Sequence, residues 1–127
     1  MSGLNPDSLT AEIVANLQKY NADITEGIRQ IGEEVATELQ TDLQTNSPKQ
    51  TGEYAKGWKI QKNYEYRKVK FVVHNSKKPW LTHLLENGHA IRNGSGRVRA
   101  FPHIAPAEQR AVKEFEKKVE ELLKNAH

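Results

Sequence analysis

Three residues invite a metal. His83, Glu86 and His89 stand three apart in the order His-x-x-Glu-x-x-His, and imidazole and carboxylate are donors that zinc accepts. On a helix, however, two steps of three carry the last residue about 300° around the axis, and Gly88 is the kind of residue that ends a helix before His89 is reached. The triplet is therefore not expected to converge on a metal. His83 reads as a surface or interface residue, and Glu86 as a carboxylate fixed by nearby backbone donors or a lysine. His74 and His103 stand alone, and no Ser-His-Asp grouping, P-loop or Gly-x-Gly-x-x-Gly run is present. Gly94-Ser95-Gly96 lacks the following helix that would make a phosphate cradle. With no cysteine among 127 residues, thiol nucleophiles, zinc ribbons and disulfide scaffolds are excluded. No catalytic residue, metal or cofactor is expected, and so no enzyme.

A second chemistry is nucleic-acid contact. Lys56, Lys59, Lys62, Arg67, Lys68 and Lys70 surround Trp58, Tyr64, Tyr66 and Phe71, and cations mixed with aromatics can follow a phosphate backbone and stack bases. Side chains alternate across a strand, so Trp58, Ile60 and the row Val69, Phe71, Val73 are expected in a core instead. The charge is also segregated along the chain. Residues 1–48 hold two basic and eight acidic side chains, net −6; residues 49–99 hold twelve Lys or Arg against Glu53, Glu65 and Glu86, net +9; residues 100–127 balance, giving +3 overall. Such asymmetry fits nucleic-acid contact, head-to-tail assembly of an acidic element on a basic one, or a solvated surface.

The elements that would position these residues follow from spacing. Leu9, Ile13, Leu17, Tyr20, Ile24, Ile28, Ile31, Val35, Leu39 and Leu43 are separated by steps of three or four, which predicts one amphipathic stripe from Leu9 onward with Asp7 or Ser8 as N-cap. Such a helix would be about 50 Å long, so part of it is expected to overhang for another subunit. The segment Asn21 to Thr25 is its expected break. Pro48 stops the helix, and a turn at Thr51-Gly52 follows. Trp58 to Lys62 and Val69 to His74 read as strands joined through Asn63 to Lys68. Trp80 to Glu86 reads as a short helix closed by Asn87-Gly88. Residues 89–99 have the composition of a mobile loop carrying Arg92, Arg97 and Arg99. A third strand is expected from about Arg97 to Phe101, and a last helix begins near Ala105-Pro106. The class is α+β: a long N-terminal helix, a small antiparallel sheet with a short helix and mobile loop, and a C-terminal helix packed on the sheet.

The length fits one domain over 1–127, with 1–8 as a flexible N-terminus. With 36% apolar residues the core is modest, and partner subunits could complete it. No apolar stretch nears the roughly 20 residues of a membrane span. Met1 to Asp7 has neither a basic nor an apolar signal region, so synthesis and use in cytosol are expected.

Three local motifs, in this order and between these helices, resemble a known family. Ser47-Pro48-Lys49-Gln50-Thr51-Gly52-Glu53-Tyr54 is similar to a Pro-x-x-Thr-Gly-x-(aromatic or Leu) turn after the first helix. Trp80 to Gly88 resembles a hydrophobic-Glu-(aromatic)-Gly segment, with Asn87 in the aromatic's place. Arg99 to Ala107 resembles an x-x-Pro-Phe-hydrophobic-x-Pro-Ala lead into the last helix, although Phe101 here precedes Pro102. The family is the gene-product-ten-like group of minor tail, or tail-completion, proteins of long-tailed bacteriophages and prophages, and the resemblance spans roughly residues 9–124. It implies a virion structural protein of the head-tail connector, assembled in the host cytoplasm. It further implies a homo-oligomeric, hexameric ring that joins the tail to the neck of the DNA-filled head. Implied partners are further copies of itself, a neck or head-completion protein, a tail terminator or tail tube protein, and DNA passing through the lumen unread, with no membrane. Pro48, Thr51, Gly52, Glu86, Gly88, Pro102 and Pro106 are the motif positions, and Arg92, Arg97 and Arg99 the expected assembly loop. A basic nucleic-acid-binding module is the alternative.

Overall fold

Strand β1 (Ala11–Asn16) stands where the spacing predicts the start of a helix. The computed structural model describes residues 8–49, 52–90, 94 and 96–126. Leu9, Ile13 and Leu17 are four apart, and four is a multiple of two, so the same residues line one face of a strand with Ala11 and Ala15 between them. Ala11, Ile13 and Leu17 are buried, while Val14 on the other face is 49% exposed. The expected overhang is thereby corrected: Ile13 lies in the core of its own chain. Nor is Ser8 the cap, and Asp7, with the rest of the expected flexible N-terminus up to it, lies outside the described residues. The cap is Asn21: its side chain accepts the Ile24 N–H at 2.9 Å and opens helix α1 (Ala22–Asn46). The predicted break at Asn21 to Thr25 thus marks the true helix start.

A one-turn helix α2 (Glu53–Lys56) leads into strands β2 (Trp58–Glu65) and β3 (Lys68–Asn75), and helix α3 (Leu81–Asn87) follows. Strands β2 and β3 are longer than expected and turn tightly through Tyr66 and Arg67, the latter at φ 61°. The sheet order is β1-β3-β2, antiparallel throughout, with Ile13 opposite Phe71 and Phe71 opposite Lys62. The two-residue strands β4 (His89–Ala90) and β5 (Arg97–Val98) pair only with each other. The expected third strand is therefore shorter than Arg97 to Phe101 and does not join the main sheet. Helix α4 (Ile104–Asn125) closes the described chain.

Helices α1 and α4 share one face of the sheet, and Trp58, Val69, Phe71 and Val73 form the core with Ile28, Val35, Leu39 and Leu43 of α1. Approach is close at Gly32, where an added Cβ would lie 2.3 Å from the Phe71 ring. From α4 come Ile104, Ala107, Ala111 and Phe115. The free edge of β1 is partly covered: Glu108 of α4 accepts the Glu12 N–H, and just before the strand Thr82 Oγ1 of α3 accepts the Leu9 N–H, each at 2.8 Å.

Candidate functional site

At the end of the sheet where β2 begins and β3 finishes, the motif segments meet. Helix α4 opens with orphan backbone donors that need acceptors. Glu86, on the inward face of α3, supplies them: Oε1 accepts from the N–H groups of His103 and Ile104, and Oε2 from that of Ala105, each at 2.9 Å. The next residue, Pro106, has no N–H to satisfy. One carboxylate and one proline thus account for the whole first turn, and the carboxylate also sits at the positive end of the helix dipole. Burial alone would push the Glu86 carboxyl up, but the backbone N–H groups of Ala105, His103 and Ile104, together with the adjacent His103 ring, hold it below the usual carboxylate range.

His103 continues the network. Its Nδ1 lies 2.7 Å from the Phe101 carbonyl oxygen and 3.1 Å from Glu86 Oε1, and its Nε2 lies 2.7 Å from the Tyr54 hydroxyl. With a proton on Nδ1 the ring donates to the carbonyl, and the direction of the Nε2–tyrosine hydrogen bond follows from the tautomer. Burial, with the Glu86 charge nearby, raises the Tyr54 phenol far above its usual range. Asn75 Nδ2 donates to the Tyr54 carbonyl at 2.8 Å, and Trp58 Nε1 donates to Ser47 Oγ at 2.9 Å, where α1 ends before Pro48. Tyr54, Glu86 and His103 are all below 10% exposure. An acid, an imidazole and a phenol in a row could pass a proton, but each is turned to protein partners. The arrangement fastens α2, α3 and α4 together.

Gly52 and Gly88 hold the flanking turns. Gly52 has φ 80° ahead of α2; Gly88 has φ 72°, and a Cβ there would meet the Val98 carbonyl oxygen at 2.6 Å. Of the expected site residues, Pro48, Gly52, Glu86, Gly88, Pro102 and Pro106 belong to this end of the molecule, while Thr51 and Arg92 lie outside the described residues. Of the expected mobile loop 89–99, residues 91–93 and 95 also lie outside them, while His89–Ala90 and Arg97–Val98 are not loop but the paired strands β4 and β5. Arg97 and Arg99 are exposed.

The outward side of the same end is apolar. Trp80 and Leu84 stand one turn apart around α3, 55% and 37% exposed, and Val98 and Phe101 on the neighbouring strand segment are 41% and 48% exposed. The Phe101 N–H donates to the Leu85 carbonyl at 2.7 Å, which ties this segment to α3. His83 lies on the exposed side of α3 and Glu86 on the buried side, so they point apart; no group of metal ligands forms among the described residues. Of the basic-aromatic cluster, Trp58 and Phe71 are buried in the core and Tyr64 and Tyr66 are exposed. Sequence reasoning missed Ser47, Tyr54 and His103 as one network. Their signal was present only as polar residues inside the first and third motif segments.

A family model described as "Bacteriophage HK97-gp10, putative tail-component" matches residues 11–88. No curated protein and no solved structure matches the chain at a significant level. The matched segment runs from β1 through the glycine that closes α3, and so includes Tyr54 and Glu86.

Proposed function

Because the chain belongs to the HK97-gp10-like family of phage tail components, we propose that it completes the tail and joins it to the neck of the DNA-filled head, acting as a ring of identical copies. The observation that carries this reading is the exposed apolar surface of Trp80, Leu84, Val98 and Phe101 beside Arg97 and Arg99. Exposed apolar groups grouped on one end and bordered by cations are the anatomy of a docking surface. The buried Glu86 network behind it holds α3 and the 97–101 segment in one geometry, so the surface is preorganised.

A ring needs one contact repeated between unlike surfaces. The basic middle of the chain and the acidic α1 supply opposite signs for it, and six copies would enclose a lumen for DNA without reading its sequence. The tail tube or terminator on one side and a neck protein on the other are the expected neighbours. No residue of this reading performs catalysis.

Two measurements test it. Mass across protein and salt concentration should reveal self-association that strengthens at low ionic strength; a strict monomer at high concentration and low salt would weigh against the ring. Replacing Arg92, Arg97 and Arg99 with Ser should leave the melting temperature nearly unchanged and reduce joined particles in a head-plus-tail complementation assay. A variant that joins heads to tails at the normal rate would overturn the role of the arginines.

A further inference from the structure

At the opposite end of the sheet a cavity of about 450 Å³ opens between the β2–β3 turn, the end of β1 and the first turns of α1. Its walls include Leu17, Tyr20, Glu26, Arg29, Tyr66 and Arg67. The tip is locked by the Leu17 N–H donating to the Arg67 carbonyl at 2.7 Å. Arg67 Nη1 donates to the Gln18 carbonyl at 2.6 Å, and its guanidinium lies 5.2 Å from the Tyr66 ring centre. Arg29 lies 5.2 Å from the Tyr64 ring centre, and its Nε is buried with no hydrogen-bond partner among the described residues. Neither arginine forms an ion pair among the described residues.

A buried guanidinium N–H without an acceptor is costly, and its natural complement is a carboxylate or phosphate taken by the planar fork. Tyrosine faces hold each arginine in place, so little side-chain freedom remains to be lost on binding. We propose that this cavity binds a carboxylate side chain of an acidic peptide segment from a partner protein, with an apolar neighbour of that residue against Leu17 and Tyr20. Peptide is favoured over nucleic acid by Glu26 in the wall and Asp23 in the same helical turn. Both carboxylates repel a strand of phosphates, whereas a peptide brings one negative charge and backbone N–H donors that Glu26 can accept. This inference stands apart from the docking surface at the other end and does not require ring formation.

The test uses the full chain labelled for NMR, reading the arginine Nε–H signals. Acetyl-Asp-Leu-amide should move the Arg29 and Arg67 signals saturably, and acetyl-Asn-Leu-amide should bind at least about tenfold more weakly, since a charged acceptor is lost. Arg29→Gln should weaken the Asp peptide by about tenfold while Arg29→Lys restores part of the loss; Arg67→Gln gives a second reading should the first variant unfold. Equal binding of the two peptides, signals that stay still, or a short oligothymidylate that moves the same signals more strongly would each overturn the proposal.

Discussion

The two ends of the sheet are built on opposite rules. At the α2–α3–α4 end, polar groups are buried and mutually satisfied: Glu86, His103, Tyr54 and Asn75 each meet a protein partner. At the hairpin end, polar groups are exposed or half-buried; Tyr66 is 86% exposed and Arg29 Nε has no acceptor among the described residues. A satisfied buried network specifies geometry and is expensive to break, while a buried N–H that no acceptor meets adds nothing to stability and is open to an acceptor brought by a ligand. Stability should therefore concentrate at the first end and tolerance to change at the second.

Glu86→Ala should show the largest effect, roughly 3–5 kcal/mol in denaturant unfolding, because three buried backbone donors lose their acceptor together. A loss of less than about 1 kcal/mol would erase the contrast. Ile13→Ala and Leu39→Ala should each cost about 3 kcal/mol, as both are buried in one core. Unequal losses, with Ile13 nearly silent, would restore the overhanging helix that the spacing predicts.

The acid side of the pH profile sharpens the comparison. The folded Glu86 carboxyl lies below its ordinary 4.5, so its contribution is complete above that value and lost as pH falls through the lowered folded one. The stability difference between wild type and Glu86→Gln should therefore shrink below about pH 4.5. A difference that stays constant into acid would remove Glu86 as its source. Asp42, held low by its hydrogen bonds from Arg110, will leave some acid dependence in both proteins. Smallest of all, Tyr66→Ser at the hairpin tip should stay within about 0.5 kcal/mol of wild type.

Much of this was legible in the chain. Pro48, Gly88 and Pro106 end or begin helices as their backbone constraints require, and Ile28, Val35, Leu39 and Leu43 of the α1 stripe are buried as their spacing predicts. The class, α+β with a small antiparallel sheet and a C-terminal helix on it, also follows from pattern. What failed was residues 9–17, where steps of four satisfy both a helix and a strand. Only a longer run of alternation at Ala11, Ile13 and Ala15 separates the two, and alanine is too small to announce it.

The sequence by itself determined element types wherever period and backbone restriction agree, and it marked Glu86, Gly88, Pro102 and Pro106 as members of motifs. Only the tertiary structure decided that those motifs are a single device. Glu86 and Ala105 are far apart along the chain, and nothing in either segment states that the carboxylate of one satisfies the amides of the other. Local preference depends on neighbours in sequence; hydrogen-bond satisfaction of a buried helix end depends on neighbours in space. The same holds for β1, whose strand state was chosen by Val69, Phe71 and Val73 pairing alongside it.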